Sequence, residues 1–72
     1  MTLKDILAGI RILRNHYTDP DGYHLEAEHD IIFMSATDTP LLITNYERLI
    51  QLGWHQPEYE EYEPTQHWAA YV

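Results

Sequence analysis

Between Pro57 and Pro64 the chain reads Glu58-Tyr59-Glu60-Glu61-Tyr62-Glu63, four carboxylates and two tyrosines in six residues. Carboxylates this dense repel one another, so they require solvent or a basic partner. Interleaved tyrosines add flat contact area at small conformational cost, as they do in many binding surfaces. Asp19, Asp21, Glu26, Glu28 and Asp30 extend the same negative field along an earlier segment. Together these residues are the candidate partner-binding set. The competing reading is a solvated connection whose charge serves only solubility.

Other chemistry has less to work with. His24 and His29 lie among Glu26, Glu28 and Asp30, a mixture that zinc or iron accepts. No HExxH or comparable spacing accompanies them, and alternation places His24 and Glu26 on one face while His29 falls past a turn. Thr18-Asp19-Pro20-Asp21-Gly22 opens like a calcium loop, but position 12 counted from Asp19 is Asp30 instead of the required Glu. Pro and Gly make it a turn. Cysteine is absent, Ser35 is the one serine, Lys4 is the one lysine, and no glycine-rich loop opens a helix. The chain is therefore expected to be no enzyme and to require neither metal nor cofactor.

Charge is unevenly placed. Residues 1–16 hold three bases against Asp5, a net of +2; residues 17–72 hold Arg48 against eleven acids, a net of −10. Direct binding to nucleic acid is disfavoured, because neutralising phosphates takes Lys and Arg. An anionic membrane surface is disfavoured for the same reason. No apolar run, Ile31–Met34 included, approaches the roughly 20 residues that span a bilayer. Lys4, Asp5, Arg11 and Arg14 interrupt the N-terminal apolar residues, so no secretory signal is expected there.

The elements that must position these groups follow from periodicity. Leu3, Ile6, Leu7, Ile10, Leu13 and Tyr17 form a helical stripe over residues 2–16, with Ile12 opposite it and Thr2/Asp5 as a weak capping box. Tyr23, Leu25 and Ala27 alternate with His24, Glu26 and Glu28, the pattern of a half-buried strand. Ile31-Ile32-Phe33-Met34 is its hairpin partner. Thr44 and Glu47 form a second capping box before a short helix that Gly53 ends. Trp54–Gln56 and His67–Val72 are extended. Tyr23, Phe33, Tyr46, Trp54 and Trp68 are assigned to the core. At 72 residues the chain is one domain, residues 1–72. The expected fold is α+β in the order α-β-β-α-β-β, an antiparallel sheet with two helices on one face and the acidic Glu/Tyr loop at residues 57–64.

Four segments carry a resemblance: Asp19-Pro20-Asp21-Gly22, Ala27-Glu28-His29-Asp30-Ile31-Ile32-Phe33, Leu52-Gly53-Trp54-His55 and Trp68-Ala69-Ala70-Tyr71-Val72. Over most of residues 17–72 the chain resembles small acidic proteins encoded by bacteriophages and other mobile elements. It departs from them in the long Glu/Tyr insert between Trp54 and Trp68. In size and acidity it is similar in type to anti-CRISPR proteins. The resemblance implies an inhibitor acting in the cytoplasm of a bacterial host. Such an inhibitor binds a basic nucleic-acid-binding surface of a Cas surveillance complex or effector nuclease through its acidic face, as monomer or homodimer. The alternative is a small homo-oligomeric interaction module of phage origin.

Overall fold

The computed structural model describes all 72 residues, Met1–Val72. The first helix, α1 (Leu3–Arg14), starts where Thr2 accepts the Asp5 N–H at 3.2 Å, as the capping box requires. Asp5 in its first turn and Arg11 and Arg14 in its last complement the helix dipole. It ends two residues before His16.

The apolar stripe of α1 is rotated from its expected centre. Leu13 and Tyr17 are buried and Ile6 and Ile10 half-buried, but Leu3 and Leu7 stand 71% and 42% exposed. Ile12, expected opposite the stripe, packs against the core. The cause is Gly9. The Trp54 indole lies on the helix backbone there, so close that a Cβ would overlap three of its atoms. Its Nε1–H donates to the Asp5 carbonyl at 3.3 Å. This approach centres the buried face on Gly9 and Leu13 and turns Leu3 and Leu7 outward.

The second helix, α2 (Ile43–Leu52), begins earlier than the Thr44/Glu47 box implies. Leu42 is its N-cap and makes no side-chain bond. Entry is set instead by Leu41, buried in the core, whose N–H donates to Pro64 O at 3.0 Å. The C-terminus follows expectation. Gly53 takes φ 100°, its N–H donates to Ile50 O, and the Trp54 N–H donates to Leu49 O at 2.9 Å. This is a Schellman closure, and its apolar pair Leu49/Trp54 lies in the core.

Strands β1 (Leu25–Glu28), β2 (Ile31–Met34) and β3 (Trp68–Tyr71) form an antiparallel sheet in the order β1-β2-β3. The register pairs Ile32 with Ala70 and Met34 with Trp68. These four residues face Leu13, Leu49, Leu52 and Trp54, so both helices cover one face of the sheet. The strand expected at Trp54–Gln56 is reduced to one bridge, His55 to Ala69, while the last one forms as β3. Gln56 leaves the sheet because its side chain is engaged in the following loop. The element order is thus α-β-β-α-β.

β1 extends past the helices. Leu25 and Ala27 pair with Met34 and Ile32 and share their face, yet every residue of β1 is exposed. Tyr23, expected in the core, is fully exposed at 107%. Both helices sit over β2 and β3, and none of the five elements covers β1.

Loops tie the hairpin to α1. The Tyr17 hydroxyl donates to Ser35 O at 2.6 Å. Asp38 accepts from the Thr18 N–H at 2.8 Å and the Thr18 hydroxyl at 3.1 Å. These bonds, led by that from the Thr18 backbone, lower the Asp38 pKa; the nearby His24 lowers it further. Burial raises that of Tyr17.

Gly→Ala in an exposed helix stabilises by about 1 kcal/mol. Gly9→Ala instead displaces Trp54 and is expected to cost about 1–3 kcal/mol, a fall in Tm of roughly 5–20 °C. A raised Tm in calorimetry would show that Trp54 does not rest on Gly9. Asp38 has a lower pKa folded than unfolded. Its stabilisation is complete above the unfolded value of about 3.9 and is lost as pH falls through the folded one. Asp38→Asn is therefore expected to be less stable than wild type at pH 7, with the gap closing on acidification below about pH 4. Thermal melts across that range measure it.

Candidate functional site

The acidic loop is fastened at its roots. Gln56, buried, donates through Nε2 to Glu63 O at 2.7 Å and accepts the Glu63 N–H at 3.0 Å. That amide mimics a backbone bridge and closes residues 57–62 into a compact loop. Tyr62 turns inward, its ring 4.5 Å from that of Tyr46, and its hydroxyl donates to Leu41 O. Burial pushes the Tyr62 hydroxyl pKa up. Of the two loop tyrosines, then, Tyr62 anchors and Tyr59 remains at the surface.

Glu58, Glu60, Glu61 and Glu63 are all exposed. So are Asp19, Asp21, Glu26, Glu28 and Asp30. Asp19 accepts the Asp21 N–H at 3.3 Å within its turn. The carboxylates of the loop and of Glu26, Glu28 and Asp30 are left to solvent, where like charges cost least.

The two acidic segments approach each other through His67. Its ring lies 6.3 Å from that of Tyr59. It also lines a shallow cleft of about 230 Å³ with Tyr23, His24, Glu26, Phe33 and Ser35. Glu26 pairs with Phe33 and Glu28 with Ile31, which places both carboxylates on the sheet face away from the helices. On the far side of β2, Tyr71, paired with Ile31, stacks on His55 at 5.1 Å. Carboxylates from the loop and the hairpin thus border a face that also presents aromatic rings. Sequence reasoning missed Gln56 and His67. No spacing marks either, because their partners Glu63 and Tyr59 are brought to them by the loop's closure.

The histidines do not assemble a metal centre. His24 stacks on Tyr17 with ring centroids 3.9 Å apart. Its Nδ1 meets the Ser35 hydroxyl at 3.0 Å and its Nε2 meets the Asp19 carbonyl. A carbonyl only accepts, so Nε2 carries the proton and both nitrogens are engaged. His29 occupies the two-residue turn at φ 54°. No three His, Asp or Glu side chains are grouped closely enough to hold a metal ion. Asp19 and Asp21 sit in a turn closed by the Gly22 N–H to Asp19 O bond at 3.1 Å.

No helix is long and apolar enough to cross a membrane. No protein-family model matches the chain, nor does a curated protein or a solved structure.

With both His24 nitrogens occupied, dialysis against EDTA is expected to leave Tm unchanged. A fall of several degrees restored by zinc would place a metal in the fold.

Proposed function

We propose that the protein is a phage- or mobile-element-encoded inhibitor of bacterial defence, of the anti-CRISPR type. It acts in the host cytoplasm. There it binds a basic nucleic-acid-binding surface of a Cas surveillance complex or effector nuclease and keeps target DNA out. The observation that carries this reading is the Glu58–Glu63 loop: four exposed carboxylates on a loop held by Gln56 and Tyr62. A held loop loses little entropy on binding, so more of its interaction energy becomes affinity. Carboxylates then stand where phosphates would lie, and the −10 excess outside α1 steers the encounter. Binding needs no catalytic step and no cofactor.

The second reading is a homo-oligomeric module. It is favoured by the exposed apolar edge of α1, where Leu3 and Leu7 face solvent.

Reversal of Glu58, Glu60, Glu61 and Glu63 to Lys tests the first reading. The variant is expected to stay folded, because all four side chains are exposed. It should lose inhibition of DNA binding by a Cas complex, since repulsion across the contact amounts to several kcal/mol. Wild-type inhibition should weaken as added salt shortens the Debye length from about 10 Å toward 3 Å. Full inhibition by the folded variant would remove the loop from the mechanism. Light scattering that shows a dimer dissociated by Leu7→Lys would move the second reading ahead.

A further inference from the structure

We propose that the free edge of β1 is a strand-docking site for an extended basic segment of a partner protein, one in which apolar residues alternate with Lys or Arg. The edge does not depend on that partner's being a nucleic-acid-binding protein.

The backbone supplies the first half of the site. β1 is the outer strand of the sheet. Ser35 N donates to His24 O at 2.9 Å, which marks His24/Ser35 as a hydrogen-bonded pair. Antiparallel pairs alternate, so Glu26/Phe33 and Glu28/Ile31 are also hydrogen-bonded, while Leu25/Met34 and Ala27/Ile32 are not. The N–H and C=O of Leu25 and Ala27 therefore point away from β2, into solvent. Natural edges are shielded by shortness, charged side chains, Pro, a bulge or a covering element. β1 is short and its Glu26 and Glu28 repel acidic strands, but it has no Pro or bulge, keeps continuous register through all four pairs and is exposed along its length, so a basic strand meets no obstacle.

The side chains select the occupant. On the helix side the edge presents Leu25, 57% exposed, and Ala27; the fully exposed ring of Tyr23 lies two residues earlier. On the opposite side it presents Glu26 and Glu28 beside the half-buried Phe33. An added strand meets apolar neighbours on one face and carboxylates on the other. A cation placed opposite Glu26 also reaches the cleft that Phe33, His24 and His67 line, where it can lie against the Phe33 ring. A second copy of the chain fits poorly. Antiparallel self-pairing centred on Ala27 sets Glu26 opposite Glu28. Shifting by one step sets Glu26 opposite Glu26, and both registers oppose like charges.

The probe is a capped nine-residue peptide of alternating Lys and Val, compared with a block-ordered peptide of the same composition. The alternating peptide should bind at least ten-fold more tightly and slow amide hydrogen exchange at Leu25 and Ala27. Ala27→Pro removes an N–H that β2 does not use, and should reduce that affinity at least ten-fold. The double variant Glu26→Lys/Glu28→Lys should reverse the preference, taking an alternating Glu/Val peptide instead; it decides the matter should Ala27→Pro not fold. Reversal of Glu58, Glu60, Glu61 and Glu63 should leave the preference for the alternating order intact, so this site and the acidic loop fail separately. Equal binding of the two peptides, unprotected Leu25 and Ala27 amides in the complex, or wild-type affinity in folded Ala27→Pro would overturn the proposal. So would a wild-type dimer that Ala27→Pro dissociates and the peptide does not.

Discussion

The indole of Trp54 resting on the backbone at Gly9 is the contact on which the rest of the structure depends. It joins three things. Trp54 follows the left-handed Gly53 that ends α2, its N–H closes that helix onto Leu49, and its ring meets α1 where no side chain intervenes. The distance and roll of α1 are thereby set from the end of α2. The next residue, His55, bridges to Ala69 and brings β3 against the same unit. A chain of this size has few fully buried large side chains, and Trp54, Trp68, Leu13 and Leu49 are those few. Loss of one such contact is not made up elsewhere.

The limited size of the core also decides what stays open. The helices cover Ile32, Met34, Trp68 and Ala70, and little apolar mass is left for β1. β1 is held instead by its ladder to β2 and by the polar knot of Tyr17, His24, Ser35 and the Asp19 turn. Hydrogen bonds and one stacked ring do there what burial does on the other side of the sheet. The strand keeps its register and an uncovered edge.

Acidity and fold are kept apart in the same way. None of the carboxylates in the loop or hairpin lies in the core, so their mutual repulsion is met in water. The loop is ordered by neutral groups, the Gln56 amide and the Tyr62 hydroxyl, which carry no charge to oppose it. The negative charge of the loop is thus presented on supports that are themselves uncharged.

Much of this was legible in the residues. Helical periodicity marked α1, alternation and β-branching marked the hairpin, and Gly53 marked the end of α2, because each signal lies within a few residues of the structure it describes. The exposed carboxylates were legible for a similar reason, since dense like charge has nowhere to go but solvent. Other features depended on partners distant in sequence. Gly9 gave no local sign that it would receive Trp54, so the buried face of α1 was placed too near Leu3 and Leu7. Leu41, held by Pro64 and Tyr62, overrode the Thr44 cap. The Gln56 side chain, bonded across to Glu63, cut the last hairpin to one bridge. Alternation correctly set the two faces of β1, but it could not say that no element would cover either of them. Periodicity fixes the direction in which a side chain points; only the packed fold decides whether anything meets it there.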